Sequence, residues 1–184
     1  KEGDLEEIQP IAAATSTPAQ RATIKYFVVV GLLLLLQVAM GALVAHYRAE
    51  PSSFYGIDLS KIFPSNLSRT WHLQIAIFWI ATSYVAGALF LAPILSKKDP
   101  KFQVTGINIL FAALVLVVGG SLAGEWLGIN DKLGNLWFWL GHQGWEFLEL
   151  GRLWQILLAI GLVFWLFLLI RALKNASRNP DFKQ

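Results

Sequence analysis

Residues 27–45 read Phe-Val-Val-Val-Gly-Leu-Leu-Leu-Leu-Leu-Gln-Val-Ala-Met-Gly-Ala-Leu-Val-Ala, a run without one charge. A helix needs about 20 mostly apolar residues to cross the hydrocarbon of a bilayer. Taken out to about Ile24–Tyr47, this run supplies them. Three further stretches meet the same requirement. They are about Ser68–Leu95, stopped near Pro93 and the Lys97-Lys98 pair, about Phe102–Gly124, and about Phe147–Leu173, which is densest from Ile156 to Ile170. A water-soluble helical core would need polar faces at helical spacing, and these segments have almost none.

The rest of the 184-residue chain agrees. Its net charge is +3, 55% of it is hydrophobic and only 15% is charged, against roughly 25% charged in soluble domains. With no cysteine, a disulfide-stapled secreted scaffold and a thiolate metal site are both excluded. The expected fold is all-α: a polytopic membrane protein with four transmembrane helices. Residues 133–140, Leu-Gly-Asn-Leu-Trp-Phe-Trp-Leu, are too short to span and read as a short interfacial helix.

Orientation follows from Lys and Arg near the span ends. One side collects nine: Arg21, Lys25, Lys97, Lys98, Lys101, Arg171, Lys174, Arg178 and Lys183. The other has five: Arg48, Lys61, Arg69, Lys132 and Arg152. Both ends are therefore expected in the cytoplasm of a bacterium, with the longer connections 48–67 and 125–146 outside its cytoplasmic membrane. Trp71, Trp126, Trp137, Trp139, Trp145 and Trp154 lie near that outer side, where indoles form interfacial belts. Residues 1–22 read as a polar linker from an upstream region, 23–174 as the four-span segment, and 175–184 as a tail or a connection to later helices. Met40 is the only methionine and the chain opens at Lys1, so a segment of a longer polypeptide is expected. Nothing in the sequence suggests a nucleic-acid partner.

Ionisable groups at membrane depth are costly, and each is a functional candidate. His72 is expected about one turn inside the second span, on a stripe with Ala76, Trp79, Ser83 and Gly87. Small residues there leave room for a flat neighbour, and a neutral imidazole beside such a groove suits haem iron. An interhelical hydrogen bond on a small-residue packing face is the alternative. His46 and Glu50 are four apart, with Phe54 four further on. Together they suit a quinol head group, or the hydrogen bonding of lipid head groups and water. Glu125, His142, Glu146, Glu149 and Arg152 gather at the second outer loop. Glu146 and Glu149 suit a hard cation or a proton path; a Glu149–Arg152 ion pair is the structural option. Gly119, Gly120 and Gly124 read as packing positions in the third span. A transporter is disfavoured, because no span carries a charge near its midpoint.

Five strings carry a family likeness. They are Ala-His-Tyr-Arg-Ala-Glu (45–50), Phe-Tyr-Gly-Ile (54–57), Ser-Arg-Thr-Trp-His-Leu-Gln-Ile-Ala-Ile-Phe-Trp-Ile-Ala-Thr (68–82), Gly-Ser-Leu-Ala-Gly-Glu-Trp-Leu-Gly (120–128) and Gly-His-Gln-Gly-Trp-Glu-Phe-Leu-Glu-Leu-Gly-Arg-Leu-Trp-Gln (141–155). In order and spacing, over about residues 40–173, the chain resembles the quinol-dependent nitric oxide reductases of the haem–copper oxidase superfamily. The resemblance implies a segment of a larger haem–copper oxidase-type bundle that reduces two nitric oxide molecules to nitrous oxide and water. It implies that His72 is one axial ligand of low-spin haem b, and that His46, Glu50 and Phe54 surround the quinol. Glu146 is implied as a calcium ligand and Glu149 as a proton-entry carboxylate. Haem b3 and non-haem iron belong to the family, but His46, His72 and His142 are too few to build that centre. Their ligands, and every catalytic residue, are expected outside this segment, which alone should be inactive. Implied partners are the remaining helices, membrane lipid, menaquinol or ubiquinol, nitric oxide, and a second copy in a homodimer. The competing reading is a non-enzymatic four-helix membrane scaffold that binds haem or quinone.

Overall fold

A computed structural model describes residues 16–96, 98–141 and 150–174. Four long helices carry the chain: α1 (Pro18–His46), α2 (Ser65–Ser96), α3 (Gln103–Ile129) and, after a short α4 (Trp137–Leu140), α5 (Arg152–Leu173). All four long helices are long and apolar enough to cross a membrane. Even α5, with 22 residues, is about 33 Å long at 1.5 Å per residue, enough for a hydrocarbon core of about 30 Å. The four expected spans are present, but their ends differ.

α1 starts at Pro18, well before Ile24, because its first turn is capped. Thr17 accepts from the Gln20 N–H at 3.2 Å, and the Gln20 side chain accepts from the Thr17 N–H at 2.9 Å. This reciprocal box satisfies two N–H groups that a helix start leaves orphaned. Asp99, from the α2–α3 connection, completes the cap by accepting from the Ala19 N–H at 3.1 Å and from the Thr17 hydroxyl at 3.3 Å. A carboxylate there also faces the positive end of the helix dipole.

α2 begins at Ser65 and continues through Pro93 to Ser96, so the proline is tolerated in the last turn rather than ending the helix. α3 runs past Gly124 to Ile129. Among the described residues α5 begins at Arg152, with Gly151 extended before it, and the expected start near Phe147 lies outside them. Residues 142–149 lie outside the described residues. The expected interfacial helix is a 3-10 turn, Gly134–Leu136, running into α4.

Successive long helices run antiparallel, and side chains knit the two ends. At one end the Tyr26 hydroxyl donates to the Ile107 carbonyl at 2.7 Å, and Arg171 donates to Gln103 at 2.9 Å. At the other, the indoles of Trp71, Trp126 and Trp154 donate to the carbonyls of Leu122, Ile62 and Leu140. Pro18 and Leu173 therefore lie at the same end. α1 packs chiefly on α2, and α3 on α5. Gly120 and Gly124 admit the Trp154 ring and the Leu140 backbone at distances no Cβ would allow, whereas Gly119 faces open space. Large apolar side chains such as Leu32, Leu35, Leu116 and Val163 stay exposed, as surfaces bathed in lipid or covered by other helices do.

Candidate functional site

Two polar clusters lie toward the end of the bundle that carries the long connections. The first is built where α1 stops. His46 is the last residue of the helix, and its Nε2–H donates to Glu50 Oε2 at 2.7 Å. A carboxylate only accepts, so in the neutral imidazole this bond places the proton on Nε2 and the lone pair on Nδ1. The longer 3.4 Å approach of the Tyr55 N–H to Nε2 is secondary to it. Glu50 is held in turn by a tight hairpin. Phe54 and Ile57 exchange backbone hydrogen bonds at 2.8 and 3.1 Å. Between them Tyr55 and Gly56 both adopt positive φ, at 50° and 80°, as a type I′ turn requires. The turn aims its amides inward: Tyr55 N–H donates to Glu50 Oε2 at 3.0 Å and Gly56 N–H to Oε1 at 3.1 Å. The Ser53 hydroxyl donates to Oε1 as well.

The His46 hydrogen bond, working against desolvation and assisted by the amides of Gly56 and Tyr55, holds the Glu50 carboxyl below the usual carboxylate range. Glu50 is therefore an anion at neutral pH. Two aromatic rings flank the imidazole: the Phe54 and Tyr55 centroids each stand 4.6 Å from His46. The His46 side chain is 18% exposed and that of Glu50 36%, while Tyr55 is 78% exposed. The result is a partly exposed cluster with a charged acceptor, an imidazole and two flat aromatic faces.

The structure thus brings together His46, Glu50 and Phe54, the three residues singled out in the sequence. It adds Ser53, Tyr55 and Gly56, whose contribution is a turn and two backbone N–H groups. The available signal was Tyr-Gly inside Phe-Tyr-Gly-Ile, a short turn dipeptide between apolar residues. Gly56→Ala tests the turn. A Cβ at Gly56 would meet nothing within 4 Å, so only the left-handed φ resists, at a cost of about 1 kcal/mol. A modest fall in thermal stability is expected, read as a lowered Tm. An unchanged Tm would show that the left-handed φ at Gly56 carries no strain that alanine feels.

The second cluster surrounds His72. α2 starts three residues earlier than expected, so His72 lies about two turns in, not one, at about 10 Å of helix rise. It is half-buried against α1. Its Nδ1 lies 2.9 Å from the Gln37 carbonyl, and the Gln37 amide nitrogen stands 3.3 Å from Nδ1 and 3.2 Å from Nε2. The interhelical hydrogen bond of the packing reading is therefore present. The same bond puts the proton on Nδ1 and the lone pair on Nε2, the state in which histidines commonly ligate metals. On this chemistry the residue fits haem iron, with the Gln37 amide giving up the lone pair it now faces. Along the same face Ala76, Trp79, Ser83 and Gly87 are each half-buried, and a Cβ at Gly87 would meet nothing within 4 Å.

Glu125 is fully buried near the end of α3. Arg152 donates to Gln155 at 2.9 Å and sits over the Phe138 ring at 5.6 Å. His142, Glu146 and Glu149 lie outside the described residues, as does any Glu149–Arg152 pair. Among the described residues no group of three or more His, Cys, Asp or Glu side chains could hold a metal ion. A separate cavity of about 70 Å³ lies between α2, α3 and α5 with Tyr26 of α1 at its wall, lined also by Phe78, Thr82, Leu110, Leu158 and Trp165. It holds neither a carboxylate nor an imidazole.

Comparison with individual curated proteins gives no match. The family described as cytochrome c and quinol oxidase polypeptide I matches residues 21–183, which takes in α1 from Arg21 onward, the other three long helices and both polar clusters. With its four membrane-length helices, the chain is a multi-pass membrane protein that belongs to the cytochrome c and quinol oxidase polypeptide I family, whose chemistry is that of oxidoreductases.

Proposed function

We propose that this chain is the quinol-oxidising, electron-entry segment of a membrane nitric oxide reductase. The observation that carries the reading is the His46–Glu50–Phe54 cluster at the end of α1, in a chain of the cytochrome c and quinol oxidase polypeptide I family. The five ordered sequence strings supply the narrower likeness to the nitric oxide reductases.

A quinol hydroxyl needs a hydrogen-bond acceptor and a base. His46 Nδ1 provides the base, and Glu50, bonded to Nε2–H, steadies the imidazolium once the proton has moved. This is the division of labour between base and orienting carboxylate seen in catalytic triads. The flanking rings of Phe54 and Tyr55 offer flat surfaces to the quinol ring. His72 would hold a low-spin haem b through its Nε2, and the haem, when bound, would supply the electron carrier. The outer end of the bundle lies outside a bacterial cytoplasmic membrane in this reading, so quinol protons leave there. Glu146 as a calcium ligand and Glu149 as a proton-entry group belong to the same proposal, as do haem b3, non-haem iron and the helices that bind them.

Overall, two nitric oxide molecules, two electrons and two protons yield nitrous oxide and water. The test uses the purified full-length protein with a quinol and nitric oxide, reading nitric oxide consumption by electrode and nitrous oxide by gas chromatography. One nitrous oxide per two nitric oxide molecules is expected. Oxygen consumption with no nitrous oxide would assign the chain to an oxidase instead.

A further inference from the structure

The face of α1 against His72 selects which nitrogen is offered and how strongly. A Cβ on Gly41 would stand 2.7 Å from His72 Cε1 and 2.9 Å from Nδ1, but 3.7 Å from Nε2. The ring thus lies with its Nδ1–Cε1 edge against the bare backbone at Gly41, and Nε2 is the nitrogen farther from that point. One turn back on the same helix face, the Gln37 carbonyl meets Nδ1 at 2.9 Å. A carbonyl carries no proton, so the imidazole must supply it, and Nε2 keeps its lone pair. The Gln37 amide nitrogen stands 3.3 Å from Nδ1 and 3.2 Å from Nε2, so the carbonyl alone decides the assignment.

We infer that Gln37, through its backbone carbonyl, and Gly41, through its missing side chain, are positioning residues that set the tautomer, aim and basicity of His72 as an iron ligand. The inference rests on the haem reading above. Neither residue need touch the iron. A hydrogen bond from the remote ring nitrogen to a carbonyl raises the electron density of the ligating nitrogen, which favours ferric over ferrous iron. Any side chain at position 41 moves the ring away from that carbonyl. Alanine is the better helix former, so harm from Gly41→Ala would come from the displaced ring and not from α1 itself.

The experiment is a potentiometric titration of the low-spin haem in the full-length, haem-loaded protein, with its electron paramagnetic resonance spectrum alongside. Gly41→Ala is expected to raise the midpoint potential and shift the low-spin g-values. Gly31→Ala, on the same helix with nothing within 4 Å of the added Cβ, should leave both unchanged. Should Gly41→Ala prevent assembly, converting the 37–38 peptide to an ester weakens the Gln37 carbonyl as an acceptor without adding bulk. It is expected to raise the potential too, and an ester at 31–32 to leave it alone. A potential that stays or falls in the 37–38 ester, while His72→Ala still removes the low-spin spectrum, overturns the positioning role alone. Survival of a bis-histidine spectrum in His72→Ala overturns the haem reading, and this inference with it.

Discussion

On the proposed haem role, His72→Ala in the full-length protein is expected to abolish the low-spin haem spectrum completely rather than weaken it. The chain has three histidines, and among the described residues no other imidazole can take over. His46 ends α1 and is engaged with Glu50 at 2.7 Å, whereas His72 lies about two turns into α2. A low-spin six-coordinate iron needs two strong axial ligands, and removing one leaves a high-spin or empty site. Optical spectra of dithionite-reduced membranes read the result directly. Parallel immunoblotting separates loss of haem from loss of protein. Retention of the bis-histidine signal would remove His72 from the electron path and leave it with only its packing role against Gln37 and Gly41.

The second large effect is expected at the end of α1. His46→Ala should slow quinol-driven turnover by about 100-fold, the lower range for removing a positioned general base. Turnover with an artificial donor that reduces haem directly should stay nearly intact. Glu50→Gln should cost less, on the order of tenfold, because an amide keeps the shape of the turn but loses the charge that steadies a protonated His46. Equal losses with both donors would show that the cluster supports the fold and not quinol. The pH dependence has a definite sign. The Glu50 carboxyl is held below its ordinary range, first by His46, so its contribution is complete at neutral pH. That contribution disappears only as the pH falls through the lowered value.

The spans were legible because lipid imposes one demand, about 20 apolar residues in a row, and stretches such as Leu32–Leu36 answer it locally. Their ends were less legible, because helix ends are decided by partners. Pro18 became a helix start through Thr17, Gln20 and Asp99, and Asp99 is 80 residues from the Ala19 N–H it accepts. His46, Glu50 and Phe54 could be grouped from a spacing of four, which a helix and the turn beyond it preserve. Ser53, Tyr55 and Gly56 could not, because two of them act through backbone N–H groups, which every residue but proline has. Gln37 and His72 are 35 residues apart, and no periodicity links a carbonyl on one helix to an imidazole on another. The small-residue stripe drew attention to the α2 side of that contact, while the glycine that admits the ring is on α1.

The Asp99 cap has a consequence for the order in which the protein is made. The carboxylate that seals the first turn of α1 is placed after the whole of α2. Until it emerges from the ribosome, the amide of Ala19 must find water or a lipid head group. By then both helices of the first hairpin exist, and His72 can already reach Gln37. The first helix is thus begun at Thr17 but finished only when the chain has crossed the bilayer and come back.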